Sequence, residues 1–306
     1  MAGLVPAIHA SLVKKEGVDA RHKAGHDERK TEDKSMTQAA AIATPQTEKM
    51  LSRKEGSVGY VIFNNPERHN AVSLDMWQAA GEMLDDFRDD DNIKVVVVTG
   101  AGGKAFVSGA DISRFEKERS NEEAVAHYTK VVDKSYAAFH EFPKPVIAMI
   151  RGYCIGGGMG LATCCDVRIA TEKSTFAVPA AKLGLGYGYS GLKRLVDVVG
   201  PSFAMEIFYT ARQFTAAEAL TMGLVNRVVP DGELESYVKS YADMIAGNAP
   251  LTIKAVKAVV SEMMKDESKR DLKRAQAAVD ACFKSRDYEE GRKAFMEKRK
   301  PVFTGR

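Results

Sequence analysis

Hydrophobic and polar residues follow two different periods along the chain from Met50 onward. Strand-like spacing and short apolar runs predict β-strands at residues 58–64, 95–100, 146–150 and 167–170. Helical spacing predicts α-helices at residues 73–88, 121–142, 192–199, 203–211, 216–222 and 233–248. A loop is expected at residues 102–111, and a turn followed by a helix at residues 154–165. Repeated strand, strand and helix units of this kind predict an α/β fold in which the chain stacks as a coil.

The C-terminal part of the sequence is predicted to be helical. Ala249 and Pro250 begin a stretch of helix that extends to about Lys300. Acidic and basic residues are mixed at helical spacing in residues 265–274, which favours a solvated face over a nucleic-acid-binding surface. We therefore predict a core at residues 48–248 and a helical region at residues 249–306.

Residues 1–47 are predicted to lie outside the fold, as a disordered or spurious extension. Residues 1–35 hold seven Lys/Arg, six Asp/Glu and three of the six histidines, with no sustained periodicity. Short stretches of this segment resemble translations of a repeated intergenic element of bacterial genomes, and we expect the biological start at Met36. A metal site on the three histidines is disfavoured, because nothing around them would hold a coordination geometry.

Charge and composition narrow the classes of function. The chain carries 44 Lys/Arg and 41 Asp/Glu, and its formal net charge of +3 is too small to indicate a nucleic-acid partner. No apolar run approaches the ~20 residues that a membrane span requires, so we expect no membrane association. Cys154, Cys164, Cys165 and Cys282 show neither metal-ligand spacing nor a disulfide framework. We therefore predict a reduced, cytoplasmic protein without a metal.

The segment 145–160 is the strongest candidate for chemistry. An apolar strand leads into three successive glycines at residues 156–158, which open an Ala/Gly-rich helix. Glycine permits close approach and a helix N-terminus favours negative charge, so this turn would aim backbone N–H groups at an anionic oxygen. Three glycines alone are also typical of a tight packing turn. Gly109, Ala110 and Asp111, which lie upstream, favour the oxyanion interpretation.

These two segments, together with residues 66–71, 214–229 and 294–301, resemble the enoyl-CoA hydratase/isomerase (crotonase) superfamily from about Met50 to Arg306. The resemblance implies an α/β crotonase-like spiral of ββα units with a C-terminal α-helical trimerisation region. It also implies an acyl-CoA substrate and a homotrimer or dimer of trimers. Coenzyme A would enter as part of the substrate, and no other cofactor is expected.

The resemblance places the two oxyanion-hole N–H groups on Ala110 and Gly157. In an enolate-forming reaction, two such donors in a dry site can each lower the barrier by ~3 kcal/mol. Six further residues match positions that line the coenzyme A site in the family: Arg68, Ala71, Asp111, Ile112, Phe295 and Lys298. The last two match positions that meet the adenine and phosphates, often from a neighbouring subunit.

The sequence departs from the hydratases of this family at both catalytic carboxylates. The hydratase glutamates fall on Gly160 and Ala180, and neither side chain can accept a proton. Tyr187 matches a tyrosine of the methylmalonyl-CoA decarboxylase branch, although that branch carries a histidine at the position of Ala110 and a glutamate at that of Gly160. Loss of CO2 from a malonyl-type thioester yields the enolate directly and needs no base. A tyrosine with its pKa near ~10 can donate a proton but is a poor base.

The leading hypothesis is therefore an acyl-CoA enzyme that works through a stabilised enolate, as a decarboxylase-like lyase with Ala110, Gly157 and Tyr187 as catalytic groups. One alternative is an enoyl-CoA hydratase or isomerase with a displaced acid or base. Four residues are candidates for that displaced group: Glu116, His127, Tyr136 and His140. A second alternative is a non-catalytic acyl-CoA-binding protein.

Overall fold

A computed structural model describes residues 47–114, 118 and 120–306 of the 306-residue chain. The described strands are β1 (Met50–Glu55), β2 (Val58–Phe63), β3 (Val95–Gly100), β4 (Ala105–Val107), β5 (Val146–Ile150), β6 (Tyr153–Ile155), β7 (Val167–Thr171), β8 (Thr175–Ala177), β9 (Phe214–Thr215) and β10 (Arg227–Val229). The described α-helices are α1 (Leu74–Asp89), α2 (Glu122–His140), α3 (Gly157–Cys164), α4 (Tyr189–Thr210), α5 (Ala216–Thr221), α6 (Leu234–Ala246), α7 (Pro250–Met263), α8 (Leu272–Phe283) and α9 (Arg286–Met296).

From β3 to β8, consecutive strands alternate between two sheets. The larger sheet has the order β1-β2-β3-β5-β7-β10, and the smaller one has the order β4-β6-β8-β9. The pairs along β2-β3-β5-β7-β10 and β4-β6-β8 are parallel, whereas β1 and β9 pair antiparallel at the edges. Each turn of the chain therefore adds one strand to each sheet and then a helix. This is the predicted spiral of ββα units, and the fold class is confirmed.

The strand β3 shows why the larger sheet is buried on both faces. Val96 and Val98 belong to the main apolar core with Phe63 of β2, while Val95 and Val97 face a second core. Successive side chains of a strand point to opposite faces, so a continuous valine run supplies both layers. The second core is closed by apolar residues of α6, among them Leu234.

Several element predictions are confirmed and a few are wrong. The strands expected at 58–64, 95–100, 146–150 and 167–170 and the helices expected at 73–88 and 121–142 are present. The expected loop at 102–111 contains the strand β4, which pairs with the remote β6. The sequence did not predict this strand, because three residues are too few to show a strand periodicity. The helices expected at 192–199 and 203–211 form one element, α4, which bends at Gly200 and Pro201.

The C-terminal region is helical, as expected, but it is divided into α7, α8 and α9.

Ser73 has the N-cap position of α1, although its hydroxyl makes no capping hydrogen bond. The boundaries at residues 47/48 and 248/249 stay predictions, and the proposals for residues 1–46 lie outside the described residues. Within the described part of the chain, no helix is long and apolar enough to cross a membrane.

A very close contact between a helix and a strand lies where α3 meets β4. A Cβ atom added at Gly158 would lie 2.1 Å from the backbone oxygen of Val107. That distance is far below any van der Waals contact, so only glycine lets the helix lie this close to the strand. The N-terminus of α3 is thereby held against the segment that follows β4.

We predict that Gly158→Ala lowers the free energy of unfolding by about 1–3 kcal/mol, because α3 must move away from β4. Urea denaturation of the purified chain measures this change. Gly232→Ala is the matched control, since a Cβ atom there has no neighbour within 4 Å. Equal stabilities of the two variants would contradict the close packing of α3.

Candidate oxyanion site

The backbone N–H of Ala110 points away from Val72, the residue with which Ala110 pairs. Val72 forms an isolated parallel bridge with Ala110, in which the Val72 N–H donates to Gly109 and the Asp111 N–H donates to Val72. In a parallel bridge, the N–H of the central residue points to the opposite side. The Ala110 N–H has no hydrogen-bond acceptor among the described residues.

The N–H of Gly157 is a second unpaired donor beside it. Gly157 is the first residue of α3, so its N–H has no acceptor within the helix. Gly109 and Gly156 adopt positive φ angles of 113° and 54°, which glycine reaches without strain. The Cα atom of Gly109 lies 3.6 Å from the Cβ position of Gly157. Two free backbone donors therefore lie on adjacent segments at a helix N-terminus, an arrangement that suits an anionic oxygen.

Tyr136 of α2 reaches the same place. Its hydroxyl donates a hydrogen bond to the backbone oxygen of Gly157 over 3.0 Å, and its ring packs edge-on against Trp77. The hydroxyl oxygen lies 2.7 Å, and the ring carbon that bears it 2.9 Å, from where a Cβ atom of Gly160 would be. Tyr136 therefore occupies the space into which a side chain at position 160 would project.

The environment of Tyr136 keeps its hydroxyl protonated. Burial raises the pKa of Tyr136 well above its usual value of 10, and the neighbouring Cys164 and Tyr187 act in the same direction. Burial likewise raises the pKa of the Cys164 thiol to about 12. No described carboxylate hydrogen-bonds to Tyr136, Ala110 or Gly157. The side chain nearest to the donors can thus give a hydrogen bond but is a poor base at neutral pH.

The structure places Tyr187 close to this group but not on it. Tyr187 precedes α4, its side chain is 39% exposed, and its ring packs edge-on against Phe208. Burial raises its pKa above 10, and the charge of Tyr128 adds to this shift. Ala180, the second position of a family glutamate, is buried in the main core. The catalytic role of Tyr187 stays a prediction.

Four of the expected coenzyme A residues lie on the two segments that the bridge between Val72 and Ala110 brings together. Arg68 contacts Asp111 over 3.3 Å and Ser113 over 2.6 Å. Burial opposes ionisation of Asp111, but hydrogen bonds from Ser113 and the charge of Arg68 hold its pKa below the usual range. Ile112 is exposed, and the Ala71 carbonyl accepts a hydrogen bond from Asn65. Asp111 is therefore committed to ordering this turn, and the roles of these residues in binding stay predictions.

Phe295 and Lys298 lie at the end of α9 and are exposed. The Phe295 side chain is 83% exposed, and no described contact joins either residue to Ala110 or Gly157. The described contacts therefore do not join all six residues into one coenzyme A site. Their expected role from a neighbouring subunit stays a prediction.

The remaining candidates for a displaced acid or base differ in their exposure and in their contact with the oxyanion segment. His127 and His140 have exposed side chains, and Glu116 lies outside the described residues. Asp166 accepts hydrogen bonds from the Val146 N–H and the Lys257 ammonium, so its carboxylate has a structural role. Among the four candidates, only Tyr136 is described in contact with the oxyanion segment. No group of residues that could hold a metal ion is found in the described part of the chain.

Sequence reasoning missed one residue next to the site. The guanidinium of Arg194 lies over the ring of Tyr136, with its central carbon 5.3 Å from the ring centroid. Arg194 stands in an ordinary helical pattern after the glycines of residues 184–191, and no motif marked it.

Comparisons with known proteins identify the family of the chain. A sequence profile of the enoyl-CoA hydratase/isomerase family matches residues 53–306. The chain is 36% identical to a crotonyl-CoA hydratase of Syntrophomonas wolfei, over 84% of this chain and 98% of that protein. It is 33% identical to a carnitinyl-CoA dehydratase of Salmonella enteritidis, over 85% of this chain and all of that protein.

A solved structure is similar over the same region. The crystal structure of an enoyl-CoA hydratase/carnithine racemase from Magnetospirillum magneticum superimposes with a TM-score of 0.80 at 37% identity, covering 85% of this chain and 97% of that one. The match spans both sheets and the C-terminal helices. The chain belongs to the enoyl-CoA hydratase/isomerase, or crotonase, family of enzymes that act on CoA thioesters.

Proposed function

We propose that this protein is a decarboxylase-like lyase that acts on a malonyl-type CoA thioester. The observation that carries the proposal is the side chain beside the oxyanion donors, which is the hydroxyl of Tyr136 and not a carboxylate. Hydration of an enoyl-CoA needs a group that deprotonates water, and decarboxylation does not. The positions of both hydratase glutamates hold Gly160 and Ala180.

The proposed step begins with the thioester oxygen at the N–H groups of Ala110 and Gly157. The bond between Cα and the carboxylate carbon breaks, CO2 leaves, and the electron pair forms the enolate. Each backbone donor can lower this barrier by about 3 kcal/mol. A proton from the Tyr136 hydroxyl then reaches Cα, and solvent restores the hydroxyl. The product is the shorter acyl-CoA.

The contact between Tyr136 and Gly160 supports this assignment further. A glutamate at position 160 and a tyrosine at position 136 would compete for one volume, because the Cβ position of Gly160 is already 2.7 Å from the hydroxyl. The glycine and the tyrosine therefore form a matched pair. Its net effect is to replace a base by a proton donor next to Gly157.

A hydratase or isomerase is the second candidate, and the relatives favour it. The similar proteins carry the names crotonyl-CoA hydratase and short-chain-enoyl-CoA hydratase. In this chain the displaced acid or base would be Tyr136, which is the candidate in contact with Gly157. The raised pKa keeps that tyrosine protonated at neutral pH, so it cannot accept a proton from water and we expect slow hydration at most.

We also propose that the chain assembles as a homotrimer or a dimer of trimers in the cytoplasm. The helices α7, α8 and α9 surround an apolar groove of about 990 Å³ that includes Val256 and Phe295. A large open groove lined mainly by apolar side chains favours burial against another chain. The cysteines Cys154, Cys164, Cys165 and Cys282 are all unpaired, which is typical of a reducing compartment.

We predict that the purified full-length protein releases CO2 from methylmalonyl-CoA and forms little 3-hydroxybutyryl-CoA from crotonyl-CoA. Tyr136→Phe should lower kcat for CO2 release about 10²-fold or more, because the proton donor is lost. Tyr209→Phe removes an exposed hydroxyl and serves as the control. Fast hydration of crotonyl-CoA without CO2 release would favour the second candidate. Tight thioester binding without either product would indicate a non-catalytic acyl-CoA-binding protein.

We predict strong coupling between positions 160 and 136 in stability. Gly160→Ala alone should lower the free energy of unfolding by about 1–3 kcal/mol, because its methyl group meets the Tyr136 hydroxyl. In a Tyr136→Ala background the same change should cost little, giving a coupling energy of about 1 kcal/mol or more. Urea denaturation of the four chains measures it, and additive effects would rule out the shared volume.

We predict that Val256→Asp weakens self-association, because it places a charge in the apolar groove. Light scattering after size exclusion should give three or six times the 33.4 kDa chain mass for the unchanged protein and a smaller species for the variant. Val125→Asp, at an exposed position of α2, is the control. A monomeric unchanged protein would contradict the proposed assembly.

A further inference from the structure

Arg194 is a partly buried cation without an anionic partner in the described part of the chain. Its Nε atom is buried and has no hydrogen-bond partner. Its guanidinium also makes no ion pair with a described carboxylate. The guanidinium lies over the ring of Tyr136 in a cation–π contact. A buried donor that lacks an acceptor carries a desolvation cost. An unpaired guanidinium of this kind is suited to an acceptor that the chain itself does not supply.

Two tyrosine side chains lie near Arg194, and its charge also acts on Cys164 and His140. The ring of Tyr136 lies below the guanidinium at 5.3 Å. Gly191 precedes Arg194 by three residues and therefore lies on the same face of α4. A carbon of the Tyr187 ring lies 3.7 Å from the Cβ position of Gly191. Two tyrosine side chains thus lie next to the face that carries the cation, and both are neutral donors.

Arg194 is separated from the oxyanion donors by one side chain. Tyr136 contacts Arg194 through its ring and Gly157 through its hydroxyl. The absence of a side chain at Gly160 leaves Tyr136 as the group between them. A carboxylate on an acyl group whose thioester oxygen lies at Ala110 and Gly157 would therefore have to pass the Tyr136 side chain to reach the guanidinium.

We propose that Arg194 binds a carboxylate on the acyl group, so that the preferred ligand is the CoA thioester of a short dicarboxylic acid. The proposal rests on the proposed function in one respect, because it takes the thioester oxygen to lie at Ala110 and Gly157. A guanidinium presents paired N–H donors that match the two oxygens of a carboxylate, and such charge-assisted hydrogen bonds are strong.

The chemistry of CO2 loss decides which kinetic constant Arg194 controls. The carboxylate is anionic in the bound substrate and becomes neutral CO2, so an ion pair to it weakens along the reaction. Such an interaction contributes to binding and orientation and not to lowering the barrier. Arg194→Met should therefore raise KM for methylmalonyl-CoA more than it lowers kcat.

Binding of two unreactive thioesters tests the assignment without relying on turnover. Succinyl-CoA and butyryl-CoA have acyl groups of four carbons, and neither yields an enolate by losing CO2. The unchanged full-length protein should bind succinyl-CoA roughly tenfold more tightly or better in calorimetry. Arg194→Met should abolish this preference and leave the affinity for butyryl-CoA within about twofold.

Two further variants make the test specific. Lys193→Met removes a neighbouring positive charge that is paired with Asp197 over 2.8 Å, and it should keep the preference. Arg194→Gln retains a polar side chain without the positive charge, and it should lose the preference for succinyl-CoA. This variant provides the test if Arg194→Met does not fold.

Three results would overturn the role of Arg194. These are equal binding of both thioesters by the unchanged protein, a preference that survives in Arg194→Gln, and equal weakening of both thioesters in Arg194→Met. The last result would assign Arg194 to the coenzyme A moiety or to folding. A retained succinyl-CoA preference without CO2 release from methylmalonyl-CoA would instead reject the proposed reaction and leave the carboxylate site standing.

Discussion

The close approach of the segment after β4 to the N-terminus of α3 is the contact on which the site depends. Val107 lies so near Gly158 that any side chain there would force the helix away. Gly109 and Gly156 provide the positive φ angles that bring the two segments side by side. Val72 then fixes the direction of the Ala110 N–H. Spiral stacking of the two sheets supplies this contact, because β4 and β6 are neighbours in the smaller sheet.

Tyr136 occupies the space that a carboxylate side chain at position 160 would fill, and this changes which reactions the site can catalyse. In the proposed site, the backbone donors of Ala110 and Gly157 would stabilise negative charge on a thioester oxygen in any reaction that forms it. The side chain beside them decides whether a proton is removed or delivered. Tyr136 fills the space next to Gly160, and its raised pKa keeps its hydroxyl protonated. With Arg194 on its ring, this part of the molecule presents donors and positive charge, which suits anionic acyl groups.

The oxyanion donors could be predicted from the sequence because they belong to the backbone. Gly156, Gly157 and Gly158 mark a turn that few other residues could form, and this local requirement is visible in the sequence. Tyr136 appeared in the sequence only as one of several candidates on α2. Its selection depends on the rotation of α2 against α3, which tertiary packing sets. Arg194 had no local signal, since an unpaired guanidinium becomes apparent only when its neighbours are known.

The same distinction applies to the fold. The valine run of β3 identified a strand buried on both faces, because its length and composition are sufficient evidence. Three-residue strands such as β4 are defined by their remote partners, and their own sequence pattern is too short to predict them. The division of the C-terminal region into α7, α8 and α9 likewise follows from packing between helices.

Deuterium incorporation tests most directly whether the site delivers a proton to an enolate without removing one. The account predicts that methylmalonyl-CoA turned over in D2O yields propionyl-CoA with one deuterium at Cα, because the proton from Tyr136 exchanges with solvent. Propionyl-CoA incubated alone with the protein should take up almost no deuterium, since the described residues around Gly157 offer no base to form the enolate from it. Rapid deuterium uptake by propionyl-CoA would reveal an active base and contradict the account.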